Sequence, residues 1–270
     1  MIDLNCHLLD GASRDPDAFK ASVEMCRSAL ADGVRTIVAT PRWDAGAQEP
    51  PVGFDEGRRQ LERLHHEMRG ALSLRLGFLL GFHPNLPALL ERYGSSIALG
   101  GGRYLFVSLP SLHVPVEAEE VWRRISAQGF SILLARAECS SVLRRDAARL
   151  KRWVESGIML QLDAASITGL HGYEIQHFAL QCVKKYEGSI VIASHAGSMR
   201  ARHASLASAR EHLLKKNDPR RVQRLMNETP MAMIDDQQNI LNSHDSRSLR
   251  LPLISRLRSL RSHRAVPDES

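Results

Sequence analysis

Short β-rich segments alternate with longer helical segments along the chain, and this alternation constrains the possible folds more than any other feature of the sequence. Seven β-rich runs lie at residues 2–4, 36–39, 73–80, 104–109, 131–135, 159–162 and 189–193. Strands that are connected through helices pair in parallel. About seven such β-α units predict an α/β protein built as a distorted (β/α)7 barrel, with an open doubly wound sheet as the alternative.

The segments between these runs carry apolar residues at helical spacing. They predict helices at residues 19–30, 54–69, 118–127, 142–155, 173–185, 201–215 and 221–226. Residues 40–53 are rich in proline and glycine and predict a loop that covers the strand ends. Neither a G-x-G-x-x-G motif after the first strand nor a P-loop occurs, so the sequence offers no support for nucleotide binding.

The positive charge is concentrated near the C-terminus. The chain of 270 residues has a formal net charge of +6, and residues 247–264 contain six arginines but no lysine, aspartate or glutamate. The rest of the chain is therefore neutral overall, which argues against nucleic-acid binding, because nucleic-acid-binding domains carry their cations over a folded face. We expect a domain at residues 1–242 and a tail at residues 243–270. The tail is either a basic amphipathic helix that binds an anionic membrane or an acidic partner, or a solvated end.

The composition is that of a globular protein, with 43% apolar and 24% charged residues. No run of eighteen apolar residues is present, and the N-terminus lacks the pattern of a signal peptide. Cysteines occur at four widely spaced positions, Cys6, Cys26, Cys139 and Cys182, which predicts free thiols in a reducing compartment. We therefore expect a cytoplasmic protein.

Six short segments at the predicted strand ends carry the residues of a known set of motifs. They are residues 1–7 (MIDLNCH), 33–41 (GVRTIVATP), 77–86 (GFLLGFHPNL), 102–110 (GRYLFVSLP), 132–138 (ILLARAE) and 192–194 (IAS). Their order and spacing resemble those of the metal-dependent protein-tyrosine phosphatases of bacterial capsule and exopolysaccharide systems. These phosphatases form the CpsB/CapC type of the polymerase-and-histidinol-phosphatase (PHP) superfamily.

The resemblance implies a PHP-type barrel with an active site at the carboxyl ends of its strands. In this family, histidines and carboxylates hold divalent metals, usually manganese, which supply a metal-bound hydroxide and neutralise the phosphate. The family acts on membrane-associated bacterial tyrosine kinases that control polysaccharide polymerisation. A kinase of this kind is therefore the partner that the resemblance implies.

This sequence departs from the family at most of the metal-ligand positions. Five ligand positions are occupied by Asn5, Arg42, Leu79, Ser108 and Arg136, and the family's S-D-x-H reads Ser194-His195-Ala196-Gly197. The guanidinium groups among these residues stay protonated in a protein and repel a divalent cation. The resemblance therefore implies a degenerate metal site, with no residue assigned as catalytic and no cofactor expected.

The remaining residues leave more than one interpretation open. His7, Glu138 and His195 could form a reduced manganese site in an enzyme that is still active. Alternatively, the arginines Arg42, Arg136 and Arg202 could bind a phosphate without hydrolysing it.

A third interpretation is structural. Arg42 and Arg136 would then fill the vacated space and pair with Glu138 and Asp163, in a protein whose pocket binds nothing. A cysteine nucleophile is not expected, because Cys139 begins a C-x4-R sequence that is one residue shorter than the phosphate loop of cysteine phosphatases.

Overall fold

The computed structural model describes residues 1–9, 16–47, 49–197 and 205–235. Within these residues the strands are β1 (Ile2–Cys6), β2 (Thr36–Ala39), β3 (Arg42–Asp44), β4 (Ser73–Leu76), β5 (Leu79–Gly81), β6 (Tyr104–Ser108), β7 (Ser131–Ala135), β8 (Met159–Asp163) and β9 (Ile190–Ala193). The predicted tail at residues 243–270 lies outside the described residues.

Helices connect the strands on the outside of the sheet. They are α1 (Pro16–Ala31), α2 (Phe54–Glu67), α3 (Leu86–Tyr93), α4 (Ala118–Ala127), α5 (Ser141–Arg145), α6 (Ala147–Glu155), α7 (Ala164–Thr168), α8 (Tyr173–Lys185), α9 (Leu206–Leu214), α10 (Pro219–Gln223) and α11 (Thr229–Ile234). Among the described residues, no helix is both long enough and apolar enough to cross a membrane.

The nine strands form seven consecutive positions around a barrel, all in parallel. One sheet has the order β1-β2-β4 and the other the order β3-β5-β6-β7-β8-β9. The chain of β2 continues into β3, and that of β4 into β5, so the two sheets share these two positions. A parallel bridge between Cys6 and Ala196 brings the first and last strands together. This order confirms the predicted distorted (β/α)7 barrel.

Residues 40–53 differ from the prediction, because Arg42–Asp44 forms strand β3 and pairs with Leu79–Gly81. Trp43 is buried in this strand, and its ring packs edge-on against Phe78. Pro41 does not prevent the pairing, since it contributes a carbonyl that accepts a hydrogen bond from Leu79 N at 3.2 Å. Predicting a loop for the whole segment was therefore wrong for these three residues.

The helix predicted at residues 142–155 is two helices, α5 and α6. Asp146 separates them, because its side chain accepts a hydrogen bond from Arg149 N at 3.0 Å and caps α6. The helices α3, α7 and α11 were not predicted. Each has eight residues or fewer, which is too short for a clear apolar period.

The interior contains an apolar layer and, beyond it, a polar layer. The apolar layer includes Val38, Leu79, Phe106, Leu133, Met159 and Val191, together with Met233 and Ile234 of α11. Successive side chains of a strand alternate between its faces, so Gln161 and Asp163 lie on the same face of β8 as Met159. They place the polar layer at the carboxyl ends of the strands.

Candidate functional site

A buried hydrogen-bonded chain of neutral side chains crosses the polar layer. Thr40 Oγ1 donates to Asn5 Oδ1 at 3.4 Å, and Asn5 Nδ2 donates to Gln161 Oε1 at 3.3 Å. Gln161 Nε2 then donates to Asp163 Oδ1 at 3.0 Å. Asn5, at a position where the sequence resemblance implies a histidine ligand, is thereby built into a network that holds Asp163 in place.

Asp163 is the centre of the site. Its Oδ2 accepts a hydrogen bond from Arg136 Nε at 2.6 Å and lies 3.7 Å from His195 Nδ1. The carboxylate is buried, whereas the Arg136 side chain keeps 35% of its surface exposed. Burial lowers the pKa of Arg136, but the charge of Asp163, the hydrogen bond to it and the charges of Cys139 and Glu138 together outweigh burial and raise that pKa above its ordinary value.

The backbone is strained at both residues that approach Asp163 Oδ2. Arg136 and His195 each have φ of 52°, in the left-handed region that side chains other than glycine rarely adopt. Arg136 directly follows β7, and His195 comes two residues after the end of β9. Strain of this kind costs on the order of 1 to 3 kcal/mol and is concentrated at functional sites.

Glu138 lies on the other side of Asp163 and is fully buried. Its Oε1 accepts hydrogen bonds from Asp163 N at 2.9 Å and from Ser166 Oγ at 2.7 Å. Its Oε2 is buried without a hydrogen-bond partner among the described residues. Burial, reinforced by the charge of Asp163, raises the pKa of Glu138 to about 7.

A cysteine and a histidine complete the group. Cys139 Sγ lies 3.8 Å from His171 Nδ1 and 3.5 Å from Arg136 Nη2, and His171 Nδ1 lies 3.1 Å from Ser166 Oγ. One ligand atom each from Cys139, Asp163 and His171 lies within 4.8 Å of the others, so these residues could in type hold a metal ion. Burial raises the pKa of the Cys139 thiol to about 12, so the sulfur is protonated in this arrangement.

The three residues predicted as a reduced metal site lie in two places: His7 and His195 are in contact with each other, and Glu138 is hydrogen-bonded to the end of β8 and to the helix that follows it. The rings of His7 and His195 meet edge to face, with their centroids 5.1 Å apart. Glu138 directs its hydrogen-bonded oxygen to Ser166 and to the backbone of Asp163 instead.

The three predicted phosphate-binding arginines differ in their contacts and in whether the structure describes them. Arg136 pairs with Asp163, as one of the interpretations anticipated. Arg42 is exposed on β3, where its backbone pairs with β5, and its side chain makes no hydrogen bond or ion pair within the described part of the chain. Arg202 lies outside the described residues.

His171 and Ser166 were not predicted as site residues. Both lie in the segment after β8, on α7 and in the turn that follows it. The signal available in the sequence was Met159-Leu160-Gln161-Leu162-Asp163, where two polar residues alternate with apolar ones at the end of a buried strand. Buried polar residues at the end of a strand indicate that the segment after the strand could contribute residues to a site.

A family model for capsular polysaccharide synthesis, CpsB/CapC, matches residues 1–235. The chain belongs to the CpsB/CapC family. It is 28% identical over 210 residues to the tyrosine-protein phosphatase YwqE of Bacillus subtilis, covering 75% of this chain and 80% of YwqE. It is 21% identical over 190 residues to the putative tyrosine-protein phosphatase CapC of Staphylococcus aureus, covering 68% and 72% of the two chains.

Solved structures share the fold of this CpsB/CapC member. Crystal structures of YwqE from Bacillus subtilis and CpsB from Streptococcus pneumoniae, described as metal-dependent tyrosine phosphatases, give a match with a TM-score of 0.77 at 24% identity, covering 88% of this chain and 95% of the other. A phosphotriesterase from Mycobacterium tuberculosis matches with a TM-score of 0.54 at 11% identity, covering 87% and 93%.

The donor set of this CpsB/CapC member does not fit the cluster of divalent ions that its family implies. A metal ligand must present a lone pair to the cation, which neither Arg136 nor Leu79 can do. The group that is closest by type uses Asp163 and Cys139, but Arg136 Nε already donates to the Asp163 carboxylate at 2.6 Å and Arg136 Nη2 lies 3.5 Å from the Cys139 sulfur. A guanidinium therefore provides the positive charge at this site.

Proposed function

We propose that the protein is a non-catalytic member of its family that regulates capsule or exopolysaccharide synthesis by binding a phosphorylated tyrosine kinase. The observation that carries the proposal is the Arg136–Asp163 ion pair at 2.6 Å, at a position where the family has a metal ligand. The names of the relatives, tyrosine phosphatases, support a phosphotyrosine as the ligand.

The exchange of metal for arginine separates binding from turnover. A divalent metal binds the phosphate and also lowers the pKa of a bound water so that hydroxide is available to attack. A guanidinium pairs with phosphate oxygens through its N–H groups but offers no coordination site for water. A site built on Arg136 would therefore hold a phosphate and leave it intact.

The geometry of Arg136 suits this role. Nε is used by Asp163 and Nη2 lies against Cys139 Sγ, while Nη1 has no hydrogen-bond partner among the described residues. The ion pair with Asp163 fixes the plane of the guanidinium, so less side-chain freedom is lost when a ligand binds. His195, 28% exposed, is a second donor beside the same carboxylate, and in the proposal Arg42 and Arg202 add charge.

The proposal is tested by measuring the affinity of a fluorescent phosphotyrosine peptide for the purified protein. Arg136→Gln should weaken binding by about tenfold to a hundredfold, the effect expected for losing a hydrogen bond to a charged group. Arg124→Gln removes an exposed arginine on α4 and should leave the affinity unchanged. Equal affinities of all three proteins, or no binding by the wild type, would contradict the proposal.

An active phosphatase with a reduced metal site is the second candidate. The observation in its favour is the group Cys139, Asp163 and His171, whose ligand atoms lie within 4.8 Å of one another. Manganese would be the metal, with His7, Glu138 and His195 as further ligands in the form that the sequence suggested. Manganese-dependent hydrolysis of the same peptide would favour this candidate over the first.

We also propose that the protein acts at the cytoplasmic face of the membrane. A membrane-associated kinase would bring it there, and the arginines of residues 247–264 would be attracted to anionic lipids. Sedimentation with phosphatidylglycerol vesicles, compared with a chain ending at residue 242, tests the contribution of the tail. Equal sedimentation of the two chains would show that the tail does not contribute to vesicle binding.

A further inference from the structure

Large apolar side chains are exposed at the same end of the barrel as the candidate site. Among the described residues, Leu112, Val116, Leu170 and Tyr173 keep 84%, 90%, 59% and 78% of their surface exposed. We call these four residues the apolar rim. The remaining exposed large apolar residue of the described chain, Met231 on α11, is 38% exposed. Four of the five therefore lie in two segments, the loop after β6 and the stretch from the turn after α7 to the first residue of α8.

These two segments lie on either side of Arg136 in the order of the strands that precede them. Leu112 and Val116 follow β6, Arg136 follows β7, and Leu170 and Tyr173 come after β8 and α7. The strands are neighbours in the order β6-β7-β8 and run in parallel, so the loops after them emerge at one edge of the sheet. The Arg136 guanidinium thus has exposed apolar side chains on both flanks.

Contacts tie one side of the rim closely to the site. Leu170 and Tyr173 flank His171, whose Nδ1 lies 3.1 Å from Ser166 Oγ and 3.8 Å from Cys139 Sγ. Cys139 in turn lies 3.5 Å from Arg136 Nη2. Leu170 and Tyr173 are therefore linked to the guanidinium through two contacts, His171 with Cys139 and Cys139 with Arg136.

The other side of the rim is presented by an anchored loop. Leu109 and Val114 of this loop pack against the hydrophobic core, whereas Leu112 and Val116 are exposed to solvent. Ala118 N donates to Pro115 O at 3.1 Å, which ties the loop to the start of α4. Large apolar side chains held in water by an anchored loop are typical of interaction surfaces.

We propose that the apolar rim binds apolar residues on both sides of a phosphorylated tyrosine in the partner, while Arg136 binds the phosphate. This inference rests on the proposed function and adds the sequence preference of the ligand. Charge complementarity selects the occupant, because the group between the two apolar flanks is a guanidinium whose Nη1 has no hydrogen-bond partner among the described residues and can donate to a phosphate oxygen. The ligand is therefore an apolar–anionic–apolar peptide segment.

The strand spacing sets the spacing of the apolar residues in that segment. Strands β6 and β8 are separated by one strand, or about 10 Å, and an extended peptide covers that distance in about three residues. We therefore expect apolar residues one or two positions before and after the phosphotyrosine.

The test compares three peptides: a phosphotyrosine with leucines at positions −2 and +2, the same phosphopeptide with serines there, and the leucine peptide without phosphate. The wild type should bind the leucine phosphopeptide at least fivefold more tightly than the serine phosphopeptide, since partial burial of two leucines is favourable. The double variants Leu112→Ser/Val116→Ser and Leu170→Ser/Tyr173→Ser should each reduce that preference at least twofold. Met231→Ser, an exposed residue on α11, should preserve it.

The peptides separate failure of this inference from failure of the proposed function. Equal binding of both phosphopeptides by the wild type would overturn the rim and leave the phosphate site intact. Leucine peptides that bind equally with and without phosphate, through the rim, would support the rim and contradict the proposed function. If the rim variants lose binding to phosphatidylglycerol vesicles while the peptide preference stays unchanged, the rim is a membrane contact and the inference is overturned.

Discussion

The two layers of the barrel interior are built on the same strands and have opposite chemistry. On β8, Met159 belongs to the apolar layer, whereas Gln161 and Asp163 on the same face belong to the polar layer. The apolar layer is closed by Met233 and Ile234 of α11, while the polar layer opens at the loops. The difference teaches that one layer maintains the fold and the other is free to change its chemistry.

The likeness to solved structures fits this division. A TM-score of 0.77 at 24% identity shows that the barrel has been kept while most residues have changed. In the polar layer, Asn5 and Arg136 stand at positions where the sequence resemblance implies metal ligands, and each has a defined hydrogen-bond partner, Gln161 and Asp163 respectively. Both side chains are therefore part of the hydrogen-bonded network around Asp163, in which Glu138 Oε2 has no partner among the described residues.

The largest effect on stability is expected in the apolar layer. Phe106 is fully buried there, so Phe106→Ala should lower the free energy of unfolding by about 3 to 5 kcal/mol through lost burial and the cavity that remains. Urea denaturation followed by circular dichroism measures the change. Tyr173→Ala removes an exposed aromatic ring and should cost less than about 0.5 kcal/mol. Similar losses in the two variants would contradict the conclusion that the buried apolar layer maintains the fold.

In the polar layer, we expect a substitution that increases the free energy of unfolding, by a smaller amount. Burial raises the pKa of Glu138 to about 7, so ionising this side chain at higher pH destabilises the fold. Glu138→Gln removes that charge and should raise the free energy of unfolding at pH 8 by about 2 kcal/mol. At pH 5 the native carboxyl is already protonated, and the difference between variant and wild type should be smaller.

The pH dependence of the stability follows from the direction of two pKa shifts. The folded-state pKa values of Glu138, about 7, and of Asp3, about 6, both lie above the ordinary carboxyl values because of burial. The folded state therefore binds more protons than the unfolded state in this window, and stability falls as the pH rises from about 4 to 7. Glu155→Gln, at an exposed position, is the matched control and should leave the pH profile unchanged. An unchanged profile in Glu138→Gln would refute this account of the polar layer.

Much of the fold could be predicted from local patterns. All seven β-rich runs contain strands, because buried parallel strands read as short apolar segments between helices. The break at Asp146 was missed since a cap depends on one side chain inside a continuous helical pattern. Strand β3 was missed because the burial of Trp43 outweighs the loop-forming composition around it.

The candidate site was less predictable than the fold. The pairing of Arg136 with Asp163 could be anticipated from charge balance, since an arginine at a former ligand position needs a carboxylate. The placement of His171 beside Cys139 could not, because it depends on the turn after α7, whose course no periodic pattern records. Contacts between loops are decided by tertiary packing, which the sequence pattern does not encode locally.

The most direct test of the central claim is the rate of phosphotyrosine-peptide hydrolysis with and without added Mn²⁺. YwqE of Bacillus subtilis serves as the positive control, and the double variant Arg42→His/Arg136→His tests whether removing the guanidinium groups restores activity. We predict no manganese-dependent turnover by the wild-type protein under conditions where YwqE is active. Manganese-dependent turnover by the wild type, abolished by His7→Ala, would contradict the claim that a guanidinium has replaced the metal.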